Sequence, residues 1–386
     1  MMPRLTIVMP LKGRNLFTFR FLWHANKKRL PYRFLLADGQ VNDLVALRLE
    51  DSWRYFPELD IEYVRYPDDS SYSRFFAKLA DAMRRVRTPY AMLADNDDFL
   101  GLDGIEKALD FLDAHADYAC ARGHQMGFSV YSGIGATPGS ISGKFNQFYL
   151  DPDDKEFDAP SAAERLRQGG LCHRLHYAVW RTAAPLGIMR EIAEIDFSDL
   201  MLYEDFFALR ALTLGKAHLS RETISYYSQA GTGVSYTPTR DWANHLRQSR
   251  FTSGSDTIVE RISSVAAAAD GIGTATVAGD VRAILVEYYQ SILKANDRMP
   301  ARLKRTLRDR WPWLARYMQA RRRLGAARQC AAMLSQLEDA GASERGLARV
   351  RGELDEIGAA LSSKAFADFA GPFQAMAQAG GNRDWL

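Results

Sequence analysis

The chain has 386 residues and a net charge of +3 at neutral pH, and 47% of its residues are hydrophobic and 25% charged. This is the composition of an ordinary globular protein, and the length predicts one large domain with an appendage. No apolar run approaches the roughly 18 residues that span a bilayer, so we expect no membrane-spanning helix. The three widely separated cysteines fit neither a disulfide framework nor a zinc site, so we expect a protein of the reducing cytoplasm.

Apolar runs and helical patterns alternate over the first part of the chain. Residues 5–10 form an unbroken apolar run, as in a parallel strand that is covered on both faces. Strands that alternate with helices form βαβ units, so the sequence predicts an α/β fold with a doubly wound, mainly parallel sheet. The predicted strands are 5–10, 33–37, 61–66 and 90–94, and the predicted helices are 15–29, 43–54 and 72–87.

The pattern becomes less regular after residue 103. Residues 132–160 are rich in Gly, Ser, Asp and Pro, which indicates either a working loop or a partly disordered segment. From about residue 242 helical patterns dominate, so we expect a catalytic domain over 1–240 and a helical C-terminal region over 241–386. The elements predicted between these points are strands at 118–130, 176–181 and 218–227 and helices at 161–168 and 198–214.

The segment after the fourth predicted strand is strongly acidic, with Asp95, Asp97 and Asp98 close together. Ligands bind at the carboxyl end of the strands in open α/β sheets, and side chains two residues apart on an extended chain share a face. Asp95 and Asp97 are therefore predicted to point into one crevice, where like charges need a cation or hydrogen-bond donors. Mg²⁺ or Mn²⁺, held by Asp97 and Asp98 with substrate phosphates, would satisfy them. A solvated acidic turn is the alternative.

Two further acidic positions favour a site over a turn. Asp38 ends the second predicted strand, at the same edge of the sheet, where it can bind a base or a ribose or simply form a turn. Glu204 and Asp205 lie inside an otherwise apolar helix. Adjacent acids there are costly to bury without a function or a cationic partner such as Arg210, although an ordinary surface-facing pair is the alternative.

The motifs between about residues 4 and 235, taken in their order along the chain, resemble those of inverting glycosyltransferases of the GT-A fold. They are similar to the motifs of family 2 and of a related bacterial subgroup. The resemblance implies that Asp38 contacts the base, and that Asp95 and Asp97 contact the ribose and the metal. It implies that Asp205 is the catalytic base, with Glu204 beside it. The remaining donor-binding positions that it implies are Asn96 and the end of the first strand with its turn, Pro10, Leu11, Lys12, Gly13 and Arg14.

The resemblance also implies a reaction. Asp205 would take the proton from an acceptor hydroxyl as that oxygen displaces the diphosphate of a nucleoside diphosphate-sugar with inversion. The metal would stabilise the departing diphosphate. The acceptor would be a saccharide, a lipid-linked molecule or a protein. Many relatives carry a metal-binding His after the Glu-Asp helix, and residues 226–231 contain none, so coordination would rest on Asp97 and phosphate.

Basic and aromatic residues supply further candidates. Arg74 and Lys78, one helical turn apart, can donate to the phosphates or can be ordinary charges on an exposed face. Tyr72, Trp180 and the segment 132–160 are candidates for the acceptor side, with a place in the core as the alternative for the aromatic rings.

The stretch 297–328 is strongly basic and contains aromatic residues. Such a stretch can lie on an anionic membrane surface, which would suit a lipid-linked acceptor. A solvated helical face or a contact in a homo-oligomer fits the same pattern. No nucleic-acid-binding motif accompanies it, so we expect no nucleic acid as partner.

Two other functions stay open. A sugar-nucleotide pyrophosphorylase uses a similar sheet, but it would show a glycine-rich loop after the first strand, where this chain has Gly13 alone. A non-catalytic scaffold or binding module of the same fold is the second alternative. The acids at positions 95, 97 and 205 argue against it, and the missing His argues for it.

Overall fold

The computed structural model describes residues 3–39, 49–131, 141–150, 154–230, 242–296 and 312–379. Its described strands form one nine-stranded sheet. The strands are β1 (Leu5–Leu11), β2 (Arg33–Asp38), β3 (Asp60–Arg65), β4 (Tyr90–Leu93), β5 (Phe99–Leu100), β6 (Tyr118–Tyr131), β7 (Lys144–Leu150), β8 (Val179–Arg181) and β9 (Lys216–Gln229). Their order across the sheet is β3-β2-β1-β4-β8-β6-β9-β5, with β7 paired to β6.

The first half of the sheet is parallel and its strands end together. β1 pairs in parallel with β2 on one side and with β4 on the other. Leu11, the last residue of β1, lies opposite Asp38, the last residue of β2, and Val8 lies opposite Leu93 at the end of β4. The residues that follow β1, β2 and β4 therefore meet at one edge, where α/β sheets bind their ligands.

The second half of the sheet is mixed. β8 joins β4 and β6 with antiparallel pairing, and β6 runs parallel to β9 over nearly its whole length. β7 folds back on β6 as an antiparallel partner. Because most of the pairing is parallel, the predicted GT-A-like α/β class with C-terminal helices is confirmed.

Helices cover both faces of the sheet and continue beyond it. Several of them begin at side-chain caps: for example, the Ser71 hydroxyl accepts from the amide of Arg74, and Asp199 accepts from the amide of Met201. The helices are α1 (Asn15–Lys28), α2 (Ser52–Tyr55), α3 (Tyr72–Arg85), α4 (Leu102–Ala114), α5 (Ala162–Gly169), α6 (Ala183–Ile195), α7 (Leu200–Leu214), α8 (Trp242–Leu246), α9 (Ser249–Asp270), α10 (Thr274–Asn296), α11 (Pro312–Asp339), α12 (Glu344–Ser362) and α13 (Lys364–Ala379).

The structure differs from the predicted elements mainly in the second half. Lys144–Leu150, inside the segment predicted to be a loop, is strand β7. The predicted strand 176–181 begins only at Val179, because His173–Tyr177 forms a 3₁₀ helix. Helix α6 was not predicted at all. Trp180 is 1% exposed and its indole donates to the carbonyl of Leu175, so this ring belongs to the core and the acceptor-side alternative for it is wrong.

The helices after residue 241 pack on the sheet and its helices. Ile258 of α9 and Val281 of α10 are fully buried in the same core as Phe206 of α7. Helix α12 packs against β7 and β9 on the other side. The boundary near residue 240 stays a prediction. Residues 297–311 of the basic stretch lie outside the described residues, and within the described part no helix has the length and apolar character required to cross a membrane.

Candidate active site

Three carboxylates form a cluster at the end of β4. Asp95, Asp97 and Asp98 each offer an oxygen, and these oxygens lie within 4.8 Å of one another. The chain reaches this place because the amide of Ala94 donates to the carbonyl of Val8 at 3.1 Å, which extends the parallel pairing past the last residue of β4. The tight turn that follows then brings the carboxylates of Asp95, Asp97 and Asp98 close together.

Each of the three carboxylates has a different partner. The hydroxyl of Tyr177 donates to Asp95 Oδ2 at 2.6 Å, and the amide of Gln229 donates to Asp98 Oδ1 at 2.7 Å. The guanidinium of Arg14 lies 2.7 Å from Asp97 Oδ2, too poorly aligned for a hydrogen bond.

These partners leave the cluster with an excess of negative charge. Burial and the charge of Asp97 raise the pKa of Asp95 to about 6. Burial, then the charges of Asp97 and Asp95, raise the pKa of Asp98 well above its usual range. A hard divalent cation takes carboxylate oxygens at such spacing and removes this repulsion. The residues present therefore fit the metal that the sequence predicts.

A buried arginine, Arg20, supports the turn that carries the acidic cluster. Arg20 is fully buried and donates to the backbone carbonyl of Asp97 at 2.6 Å and to the carbonyl of Ile141 at 2.8 Å. Its guanidinium also lies over the rings of Phe17 and Phe99. Through these backbone oxygens Arg20 fixes the path of the acidic turn, and its charge also acts on Asp97 and Asp98.

The turn after β1 lies against the cluster. Gly13 and Arg14 both have left-handed backbone angles, with φ of 68° and 56°. Two successive residues of this kind reverse the chain sharply, and a glycine adopts the first without strain. The amide of Asn96 donates to Thr18 Oγ1 at 2.9 Å and to the carbonyl of Arg14. The predicted donor-binding residues 13, 14 and 96 are therefore brought together.

Asp38 lies two strands from Asp95 at the same edge. Its carboxylate is buried and accepts a hydrogen bond from the hydroxyl of Tyr63 at 2.7 Å. Pro10 and Leu11, the other predicted donor-binding residues of this edge, pair with Ala37 and Asp38. The edge from β2 to β4 thus carries all the acids that were predicted to contact base, ribose and metal.

Lys78 and Arg74 have different environments although they lie one turn apart. Lys78 and Asp69 form an ion pair of 2.5 Å with side chains that are 1% and 0% exposed. Lys78 also donates to the carbonyl of Leu11 at 3.0 Å, so it stabilises the end of β1. Arg74 is 61% exposed and pairs with Asp68. Lys12 contacts Asp69 and is 57% exposed. A role of these residues toward phosphates stays a prediction.

The second acidic group consists of Glu204 and Asp205 on α7. Asp205 is fully buried, and its two oxygens accept hydrogen bonds from His173 Nε2 and from the hydroxyl of Tyr289, both at 2.8 Å. Burial opposes a charge on His173, but the hydrogen bond and the charge of Asp205 outweigh it and raise the pKa of the imidazole. Asp205 is therefore enclosed by an imidazole and a phenol.

Glu204 differs from its neighbour. Its side chain is partly exposed, and no described residue donates a hydrogen bond to it or forms an ion pair with it. Burial raises its pKa to about 7, against the opposing charge of His173 and together with the charges of Asp205 and Asp95. The charge of Asp95 thus reaches Glu204 from the cluster at the end of β4. The predicted base, Asp205, stays a prediction, and the environment favours Glu204.

Several residues of the site carry no local signal in the sequence. His173 and Tyr177 come from the 3₁₀ helix before β8, and Tyr289 comes from α10, far beyond the predicted catalytic domain. Each touches a predicted acid only because the tertiary structure brings the segments together. A buried acid without a cation nearby in sequence was the one available sign that such partners exist.

Comparisons with known proteins give only distant likenesses. No family model matches the chain, and no curated protein matches it. Among solved structures, S. aureus TarS is 12% identical with a TM-score of 0.45, over 73% of this chain and 43% of that one. The chain thus spans less than half of full-length TarS.

Two further solved structures are similar over more of their length. TarS residues 1–349 match 93% of this chain and 90% of that one, at 10% identity and a TM-score of 0.48. The mannosyltransferase PcManGT from Pyrobaculum calidifontis, in complex with GDP-Man and Mn²⁺, matches 88% of this chain and 86% of that one, at 11% identity and a TM-score of 0.35. Likeness of this extent bears on neither activity nor substrate.

Proposed function

We propose that the protein transfers a sugar from a nucleoside diphosphate-sugar to an acceptor hydroxyl. The observation that carries this proposal is that Asp38 and the cluster of Asp95, Asp97 and Asp98 lie at one edge of the sheet, while the charge of Asp95 acts on Glu204. Burying acids that come from separate segments and repel one another costs free energy. A polyanionic substrate that binds together with a cation explains why these acids lie together.

The donor would occupy the edge between β2 and β4. Asp38 and Asn96 offer oxygen and amide groups to a nucleoside, and Lys12 and Arg14 offer donors to its phosphates. A divalent cation on Asp97 and Asp98 would offset the negative charge of the diphosphate as it leaves. The guanidinium of Arg14 lies 2.7 Å from Asp97, where it can donate hydrogen bonds to the phosphates.

Glu204 is the proton acceptor in this proposal. It is the accessible member of the pair, and a pKa of about 7 suits a general base near neutral pH. As the acceptor oxygen attacks the anomeric carbon, the C–O bond to the sugar forms, the bond to the diphosphate breaks, and the hydroxyl proton passes to Glu204. One base without a second nucleophilic carboxylate favours inversion. Asp205 accepts a hydrogen bond from His173, so it acts as a positioning residue.

A thermal-shift experiment with a panel of nucleotide sugars, with and without Mn²⁺, tests the donor. We expect one donor to raise the melting temperature in the presence of Mn²⁺, because a ligand that binds only the folded state stabilises it. Asp97→Asn should lose the shift, and the matched control Asp110→Asn, which changes an exposed acid that pairs with Arg4, should keep it.

Two results would count against this function. If no nucleotide sugar shifts the melting temperature, or if Asp97→Asn responds like the wild type, the cluster is not a donor site. Donor binding without release of the nucleotide would instead indicate the non-catalytic alternative. A saccharide, a lipid-linked molecule and a protein remain the proposed acceptor classes, and association with the cytoplasmic face of a membrane through residues 297–328 stays a prediction.

A further inference from the structure

Two stacked tyrosines, Tyr177 and Tyr226, contact the same acid of the cluster. Their ring centroids are 4.4 Å apart and their planes differ by 15°. The hydroxyl of Tyr177 donates to Asp95 Oδ2 at 2.6 Å, and the hydroxyl of Tyr226 accepts from the amide of Asp95 at 2.9 Å. One ring thus holds the carboxylate and the other holds the backbone, so Asp95 is fixed at both its side chain and its main chain.

The backbone that carries the Tyr177 ring is itself well supported. Tyr177 ends the 3₁₀ helix His173–Tyr177, just before β8. Because β8 runs antiparallel to β4, the residues before β8 lie near the carboxyl end of β4, where the acidic cluster begins. The carbonyl of Leu175 accepts from the indole of Trp180 at 2.9 Å and from the amide of Ala178 at 3.2 Å. A support of this kind keeps a side chain in one geometry.

The contact of Tyr177 leaves Asp95 able to bind a cation. Asp95 offers an oxygen to the group of three carboxylates, whose oxygens lie within 4.8 Å of one another. A carboxylate has about four lone-pair positions, so Asp95 can accept from Tyr177 and coordinate a cation at the same time. Carboxylates that bind metals are commonly hydrogen-bonded in this way, which orients them. A phenol orients the carboxylate and remains neutral, so it does not replace the cation with a charge of its own.

Contact with a substrate is the other role open to Tyr177. Its ring lines a cavity of about 320 Å³ together with Gln125 and Tyr149, so a molecule in this cavity would touch it. A phenol has a single proton to donate, however, and Asp95 receives the proton of Tyr177. The hydrogen bond therefore favours a role toward the acid over a role toward the cavity.

We propose that Tyr177 is a positioning residue that holds Asp95 for the divalent cation. Its hydroxyl fixes the carboxylate, and its stack on Tyr226 fixes the ring, so the geometry of the acid is set before the cation binds. This inference rests on the proposed function for the presence of the cation, but binding of the cation is measurable without a nucleotide sugar.

A double-mutant cycle on Mn²⁺ binding tests the proposal, by isothermal titration calorimetry on the full chain without nucleotide. Tyr177→Phe keeps the ring and removes the hydroxyl, and we expect its Mn²⁺ dissociation constant to rise by about tenfold or more. Asp95→Ala should also weaken Mn²⁺ binding. In the Asp95→Ala background, Tyr177→Phe should have little further effect, because a residue that acts through Asp95 has nothing to position once the carboxylate is absent.

Tyr203→Phe is the matched control. It removes a phenol hydroxyl from the same region, but that hydroxyl contacts Nε2 of His176 at 3.1 Å and not an acid of the cluster. We expect Tyr203→Phe to keep the Mn²⁺ affinity of the wild type. If it weakens Mn²⁺ binding as much as Tyr177→Phe does, the effect is a general loosening of the site and the inference is wrong.

The remaining outcomes separate this inference from the proposed function. Unchanged Mn²⁺ affinity in Tyr177→Phe, or effects of Tyr177→Phe and Asp95→Ala that simply add, would overturn the inference, and the donor-induced thermal shift would still stand as evidence for the transferase. If the wild type binds no Mn²⁺ while a nucleotide sugar raises its melting temperature, the positioning role is wrong and donor binding stands. If Mn²⁺ binds through Tyr177 and Asp95 but no nucleotide sugar binds, the cation site stands and the transferase assignment falls.

Discussion

The two acidic groups of the site are stabilised in different ways. The carboxylate oxygens of the three acids after β4 lie within 4.8 Å of one another, and burial together with their mutual repulsion raises the pKa values of Asp95 and Asp98. In the pair on α7 the hydrogen-bond donors are divided unequally. Asp205 accepts from both His173 and Tyr289, and Glu204 accepts from neither.

This difference indicates two tasks. An uncompensated cluster gains from a cation, because a bound cation removes repulsion that the folded protein otherwise retains. A pair in which one acid accepts two hydrogen bonds and the other is accessible places adjacent carboxylates in different environments, which is how they acquire different roles. The first arrangement suits binding of a charged substrate, and the second suits transfer of a proton.

The largest effect is expected from Glu204→Gln, which keeps the size of the side chain and removes the base. Loss of a general base costs about 10²- to 10⁴-fold in turnover, while the donor-induced thermal shift should persist. Transfer to the acceptor is measured by release of the nucleoside diphosphate. The exposed control Glu194→Gln should remain active. If Glu204→Gln retains turnover and a folded Asp205→Asn variant loses it, the roles of the two acids are reversed.

Removal of one acid from the cluster is expected to have the next largest effect. Asp98→Asn keeps an acceptor for the amide of Gln229 but removes a charged ligand, so Mn²⁺ affinity in isothermal titration calorimetry should fall by about 100-fold. The surface variant Asp110→Asn provides the baseline. Equal Mn²⁺ affinity in the two variants would show that the cluster is balanced by Arg14 and needs no cation.

The acids were predictable from sequence because they interrupt apolar patterns. Asp38, Asp95 and Asp205 each stand out at the end of a strand or inside an apolar helix, and βαβ winding then requires the strand ends to meet. The parallel strands were predicted within a few residues for the same reason, since β1, β2 and β4 are covered on both faces and appear as unbroken apolar runs.

The partners of the acids were not predictable. Tyr289 lies 84 residues from Asp205, and Tyr177 lies 82 residues from Asp95. No periodicity relates such positions. Strand β7 was missed because its flanks are rich in turn-forming residues and only Phe148 of the strand is fully buried. Loop-like composition therefore concealed Tyr149, which lines a cavity together with His173 and Tyr177.

A smaller effect is expected from Tyr289→Phe, which removes one of the two donors to Asp205. A buried acceptor that loses its partner costs about 1–3 kcal/mol of unfolding free energy, measured by urea denaturation. Tyr288→Phe is the matched control, because its hydroxyl donates to no described residue and its ring contact with His173 is kept. Equal stability of the two variants would show that Asp205 is satisfied by His173 alone and that α10 contributes nothing to the pair.

The smallest effect is a pH dependence of stability that comes from Glu204. His173, Asp205, Asp95 and Asp199 act on this carboxyl, and its pKa rises with burial from 4.5 to about 7. Between those values the folded protein holds a proton that the unfolded chain has released, so unfolding free energy should fall as pH rises, by at most about 1.4 kcal/mol per pH unit. Glu204→Gln should make this slope shallower in urea denaturation without metal, while Glu194→Gln should keep it. An identical slope in both variants would place the elevated pKa on another acid, because only a group that titrates differently in the two states makes stability depend on pH.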